Sequence, residues 1–138
     1  MIEVVLGIDV GTSGVRIAAR DREGASVLMA SLSMEAPVGG KQDAQIWWQV
    51  MSDALHLLYL DGYRVRAIAI DGTSGTILPV DENGNPLAQA SMYSDTADPA
   101  HVERIKLLAP PETAAHGATS PLARAVPMVS AEIGRAHV

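Results

Sequence analysis

One aspartate, delivered by an apolar run straight into a glycine- and hydroxyl-rich turn, limits this chain more than any other feature. The stretch reads Gly7-Ile8-Asp9-Val10-Gly11-Thr12-Ser13-Gly14. Gly11 and Gly14 let the backbone approach a ligand and adopt positive φ, while Thr12, Ser13 and the turn's N–H groups can donate to phosphate oxygens. Asp9 can hold a metal ion or its waters. In a P-loop or a dinucleotide fingerprint the glycine turn runs into a helix that faces the phosphates. Here Val15, Ile17 and Ala19 alternate with Arg16, Ala18 and Arg20, a period-2 strand pattern, so the turn sits inside a β-hairpin. The spacing also lacks G-x-G-x-x-G and G-K-[ST]. Taken alone, such a turn is more often an ordinary hairpin than a nucleotide site.

With 138 residues the chain is long enough for one domain with a real core and too short for two. Apolar residues make up 48% but aromatics only 4%, so the core must be built from Ala, Val, Ile, Leu and Met. A net charge of −6 with scattered basic residues argues against binding nucleic acid or anionic membrane by bulk electrostatics. There is no cysteine, which excludes disulfides and thiolate chemistry. The first residues lack a charged n-region and a cleavage site, and no apolar run approaches transmembrane length, so the expected location is cytoplasmic.

Residues 2–9 read as a strand apolar on both faces, residues 15–20 as its hairpin partner and residues 26–32 as a third strand, an antiparallel meander. Pro37 and the Gly39-Gly40 pair make residues 34–41 a loop. Asp43 is a good N-cap for a helix over 43–60, in which Ile46, Trp47, Val50, Met51, Ala54, Leu55 and Leu58 recur along one face until Gly62 ends it. Neighbours on a helix point about 100° apart, so of Trp47 and Trp48 at least one belongs to the core, and Trp48 is the candidate for stacking on a ligand. Residues 65–70 form a second buried strand that ends in Asp71-Gly72-Thr73-Ser74-Gly75, an echo of the first turn. Residues 76–80 and 87–93, joined by Asp81-Glu82-Asn83-Gly84-Asn85-Pro86, read as a second hairpin. Right-handed crossover geometry then predicts a mixed sheet in the order 3-2-1-4 with the 43–60 helix on one face. Two glycine turns at the ends of neighbouring strands would face a common crevice, although Thr73 and Ser74 could equally satisfy local backbone groups.

Further on, Asp98-Pro99 starts a helix with Val102, Ile105 and Leu108 on its apolar face, and Pro110-Pro111 stops it. His101 and His116 have no second ligand at metal spacing and read as surface residues. Residues 118–124 open one more helix, which has no room to continue.

Several of these segments together carry a specific resemblance. The first turn, residues 43–48, residues 69–76, Asn83-Gly84-Asn85-Pro86-Leu87, Met92-Tyr93-Ser94-Asp95 and residues 118–124 resemble, in order, the N-terminal domain of the FGGY carbohydrate kinases. Within that family the Asp71-to-Gly75 turn and Thr119-Ser120-Pro121-Leu122-Ala123-Arg124 are most similar to the xylulokinase-like D-ribulokinases. Departures are Ser94 and Ala97, where the family often carries Asn and Arg.

The resemblance implies a truncated N-terminal domain of an actin-like ATPase fold built from ribonuclease-H-like domains, with ATP, magnesium and a sugar in the cleft of the whole protein. It implies Asp9 as the magnesium-linked carboxylate, Gly11, Thr12, Ser13 and Gly14 as the phosphate turn, and Arg16 as a positively charged residue that can reach the transferring phosphoryl group. It implies Thr73, Ser74 and Asp95 as sugar contacts, and a small-molecule sugar as partner in place of nucleic acid or membrane. Family chains are several times longer, so the catalytic aspartate is expected beyond Val138 and the isolated chain is expected to be inactive. Residues 1–132 are read as the partial kinase domain and residues 133–138, which resemble a translated sequencing adapter, as a non-native tail. Two other classes stay open: a non-sugar ATPase of the actin-like superfamily, and a non-catalytic remnant that binds a partner.

Overall fold

Four strands and a helix make up the first of two units. The computed structural model describes residues 1–35 and 39–135, and the chain divides into Met1–Thr73 and Ser74–Val138. Strands β1 (Ile2–Val10), β2 (Gly14–Arg20) and β3 (Ser26–Ser33) form the antiparallel meander, and β4 (Tyr63–Gly72) runs parallel to β1 at the other side, in the order β3-β2-β1-β4. The order read from the sequence therefore holds, and a strand follows the first glycine turn.

Helix α1 (Ala44–His56) supplies the crossover. Asp43 caps it by accepting from the Gln45 N–H at 2.9 Å. Its Trp47, Val50, Met51, Ala54 and Leu55, with Leu58 beyond its end, pack on Val4, Leu6, Ile8, Val15, Ile17 and Ala19 of the sheet. Each large side chain buried there contributes about 1.5–3 kcal/mol, so this stripe fastens helix to sheet. The helix is one turn shorter than expected: it ends at His56, and the chain turns through Tyr59 and Gly62, both at positive φ. Burial of β1 on both faces does not hold either. Val4, Leu6 and Ile8 are buried under the helix, whereas Val5, Gly7 and Asp9 on the opposite face are exposed.

In the second unit the expected hairpin is reduced to two isolated bridges, Ile77 with Ser91 and Val80 with Pro86. Pro79 removes an N–H donor from the first arm and Pro86, at the end of the connecting turn, removes one just before the second, which prevents a continuous ladder. The connecting turn is firm all the same: the Asp81 carboxylate accepts from the Asn85 side chain, Asn85 N–H and Asn83 N–H, and these bonds hold its pKa below the ordinary value. Helix α2 (Pro99–Leu108) starts at the Asp98 cap and buries Val102 and Ile105, but Leu108 is exposed. A short 3-10 turn, Ala114–His116, leads to α3 (Pro121–Arg135), whose Ala123 packs with Val102 and Ile105. His101 and His116 are half-buried rather than at the surface, with His116 Nε2 3.1 Å from the Ala109 carbonyl. α3 runs through Pro127 to Arg135, well past the short helix expected and into the segment set apart as a tail. The remaining tail residues 136–138, and residues 36–38 with Pro37 of the expected loop, lie outside the described residues.

Candidate functional site

Register places three ionic groups side by side. Asp9 stands opposite Arg16 on β2 and opposite Asp71 on β4, so Arg16, Asp9 and Asp71 form a row across three strands. Arg16 Nη1 lies 3.3 Å from Asp9 Oδ2, both side chains being more than half exposed. All three residues line one open hollow of about 410 Å³, floored by Gly7, Ala18, Met29 and Ala69 among others. Gly7 has no atom of a neighbour within 4 Å of where a Cβ would stand, so its effect is to keep the hollow open. Asp71 did not emerge from the sequence as a site residue, because only strand register puts it beside Asp9.

The turn after Asp9 is tied down from behind. Gly11 N–H donates to the Gly14 carbonyl at 2.9 Å, so that N–H is spent within the turn. The Thr12 carbonyl accepts from the Gln42 side chain at 3.3 Å, and the Ser13 carbonyl from Met34 N–H at 2.9 Å. In a trans peptide the C=O and the following N–H point opposite ways, so these two bonds turn the N–H groups of Ser13 and Gly14 to the other side. Neither Gly11 nor Gly14 has positive φ, contrary to expectation. Gly14 is needed for another reason: a Cβ there would lie 2.5 Å from the Leu32 carbonyl on β3.

Gln42 is a second residue that sequence reasoning missed. It is buried, donates to the carbonyls of Thr12 and Glu35, and accepts from the Trp47 indole N–H at 2.7 Å. Trp47 is thus the core member of the tryptophan pair, while Trp48 is 66% exposed.

The expected sugar contacts divide between the units. Thr73 ends the first and Ser74 begins the second, where Ser74 is exposed on the turn before Gly75. Asp95 is half-buried, and its Oδ2 accepts from Met92 N–H at 2.9 Å and from the Ser91 hydroxyl at 3.3 Å. Within this unit Gly75 does adopt positive φ, +79°, so a side chain there would be strained.

Asp9 and Asp71 present hard oxygen donors toward open space, and magnesium is commonly held by one or two carboxylates together with phosphate oxygens, so the pair fits that ion. Among the described residues there is no cluster of three or more ligating side chains, and no helix is long and apolar enough to cross a membrane.

Comparison with known proteins agrees with this geometry. Residues 4–119 match the FGGY family of carbohydrate kinases, N-terminal domain. The chain is similar to a xylulose kinase of Staphylococcus epidermidis, 31% identical over 112 residues that cover 75% of this chain and 23% of that protein. Among solved structures it resembles xylulose kinase from Bifidobacterium adolescentis, with TM-score 0.62 and 26% identity over 89% of this chain and 24% of that one. Xylulose kinase from Rhodospirillum rubrum gives TM-score 0.62 and 21% identity over 77% and 24%. The chain thus spans about a quarter of the length of the relatives it matches. A mixed sheet with this order, a glycine turn carried by a hairpin, and a family match over residues 4–119 together show that the chain belongs to the FGGY family of carbohydrate kinases and falls within its N-terminal domain.

Proposed function

We propose that this chain is the N-terminal part of an ATP-dependent kinase that moves the γ-phosphate of ATP to a hydroxyl of a ketopentose of the D-xylulose or D-ribulose kind. The row of Arg16, Asp9 and Asp71 next to the glycine turn carries the reading. Xylulose kinases among the relatives support the sugar class.

Phosphoryl transfer needs in-line positioning and charge stabilisation more than covalent chemistry, which a set of turns and charges can provide. Asp9, with Asp71 beside it, would hold magnesium, which when bound neutralises charge on the phosphate oxygens. Thr12, Ser13 and the N–H groups turned outward by the Gln42 and Met34 bonds donate to the phosphates. Arg16, kept in place by Asp9, offsets the charge that spreads over the transferring phosphoryl group. Thr73, Ser74 and Asp95 contact the sugar. The group that takes the proton from the sugar hydroxyl is an aspartate outside these 138 residues, and we therefore expect the 138 residues alone to give no turnover.

The test is a coupled assay of the full-length protein with ATP, magnesium and a panel of pentuloses, hexuloses and glycerol. Turnover should be confined to ketopentoses, and Asp9→Ala should lower it by about 10²–10³. Hydrolysis of ATP unaffected by any sugar would instead support a non-sugar ATPase. Sugar turnover by the purified 138-residue chain would refute the division of labour proposed here.

A further inference from the structure

We infer that Arg124, at the start of α3, is the positioning residue that sets the sugar-contact segments of the second unit, an inference that rests on the sugar-kinase reading of Ser74 and Asp95. Its side chain is only 5% exposed. A guanidinium has five N–H groups, and here five hydrogen bonds use them. Nε donates to the Thr119 carbonyl at 3.3 Å. Nη1 donates to the Ser91 carbonyl at 3.1 Å and to the Ser91 hydroxyl at 2.7 Å. Nη2 donates to the Gly75 carbonyl and, at 3.3 Å, to that of Thr119.

Three segments distant in sequence meet on this one group. The Gly75 carbonyl belongs to the turn that exposes Ser74. Ser91 passes the constraint on, since its hydroxyl also lies 3.3 Å from Asp95 Oδ2. Thr119 leads into α3 itself, where the buried Ser120 hydroxyl accepts from Ala123 N–H and fixes the first turn. With every donor engaged on protein oxygens, Arg124 has none directed at a ligand, and its effect on a sugar must pass through the residues it holds.

The acceptors of these bonds are all neutral oxygens. A buried arginine is costly compared with an apolar side chain of the same size even with a carboxylate nearby, and Asp95 lies beyond the Ser91 hydroxyl, so overall stability is a poor reason for an arginine here. Geometry is a better one. A planar fork can fix three backbone segments at set angles, whereas lysine offers a single point charge on a flexible stem. Gly75 completes the arrangement: a Cβ there would touch Arg124 Nη2 and the Tyr93 side chain, at 3.7 Å each.

The decisive experiment compares Arg124→Lys, Ser91→Ala and Val126→Ala in the full-length protein by steady-state kinetics, thermal melting and amide hydrogen exchange. Val126 packs on the same small core and its side chain has no hydrogen-bonding group, so it controls for loss of stability alone. Arg124→Lys should raise KM for the sugar about tenfold, the size expected for one or two lost neutral hydrogen bonds, and leave KM for ATP within about twofold. It should also speed exchange at residues 74–76 and 91–95. Ser91→Ala should do the same to a smaller degree, and it serves as the test if Arg124→Lys does not fold. Val126→Ala at a matched melting temperature should leave the ratio of the two KM values unchanged. Equal rises in both KM values, or the same sugar effect from Val126→Ala, would overturn the inference. If the wild-type protein phosphorylates no sugar, the kinase reading fails and the sugar half of this inference with it. Exchange at 74–76 and 91–95 still decides by itself whether Arg124 holds those segments, and unchanged protection there would remove that half as well.

Discussion

Ser74 carries a single hydroxyl on an exposed turn, so its contribution can be isolated. In the full-length protein Ser74→Ala should weaken sugar binding by roughly a factor of 2 to 13, the equivalent of about 0.5–1.5 kcal/mol for one neutral hydrogen bond, with ATP binding unchanged. Calorimetric titration with each ligand beside a melting curve checks it. Equal loss for both ligands with a lowered melting point would mean that the hydroxyl only stabilises its own turn. Gln42 represents the opposite situation, a buried group with partners on three sides. Gln42→Ala leaves the Trp47 indole N–H and two carbonyls without their partner, and unsatisfied buried groups cost about 1–3 kcal/mol each when water cannot replace the bond. Urea denaturation should show a loss of that order, and a loss below about 0.5 kcal/mol would mean that water takes over. The difference between Ser74 and Gln42 is burial, which sequence does not display.

Between elements, the sheet is joined at its other end by an ionic cluster. Glu3 on β1 lies 2.5 Å from Arg22 in the β2–β3 turn and 3.7 Å from Arg66 on β4. The hydrogen bond from Arg22, with the positive charges of Arg22, Arg66 and Arg64, holds the Glu3 carboxyl below its ordinary value of 4.5. A carboxylate with a lowered folded-state pKa contributes stability that is present above the unfolded value and is lost as pH falls through the folded one. The stability difference between wild type and Glu3→Gln should therefore be greatest above pH 4.5 and shrink as the solution is acidified below it. The group is exposed, so the effect should be small and should diminish in high salt. A difference that grows on acidification would contradict the assignment. The same scale explains why the second hairpin failed to form strands while the first did: the first has a proline-free alternation on both arms, the second has Pro79 and Pro86.

For the whole molecule the notable feature is uncovered apolar surface at β4, the last strand of the sheet among the described residues. Ile68 and Ile70 pair with Leu6 and Ile8, yet they are 56% and 65% exposed. An exposed apolar edge strand is a template for pairing with another chain. The 138-residue chain should accordingly self-associate as its concentration is raised, and Ile70→Lys should reduce that association without abolishing the fold. Light scattering against concentration, beside circular dichroism, measures both. Association unchanged by Ile70→Lys would place the contact elsewhere.

Much of this molecule was legible from local pattern. Period-2 alternation around Gly11-Thr12-Ser13-Gly14 was enough to exclude a helix after the turn, and with the Asp43 cap and the apolar stripe of α1 it determined the sheet order, because strand, turn and cap signals depend on residues close in sequence. The ordered motifs were enough for the family. Tertiary structure alone decided what depends on groups far apart in the chain. Register brought Asp71 beside Asp9. The Leu32 carbonyl, and not positive φ, made Gly14 obligatory. Gln42 reached back to Thr12, and Arg124 gathered Gly75, Ser91 and Thr119 onto one guanidinium. A hydrogen bond depends on distances of a few tenths of an ångström, and for partners 30 to 50 positions apart those distances exist only once the whole unit has packed.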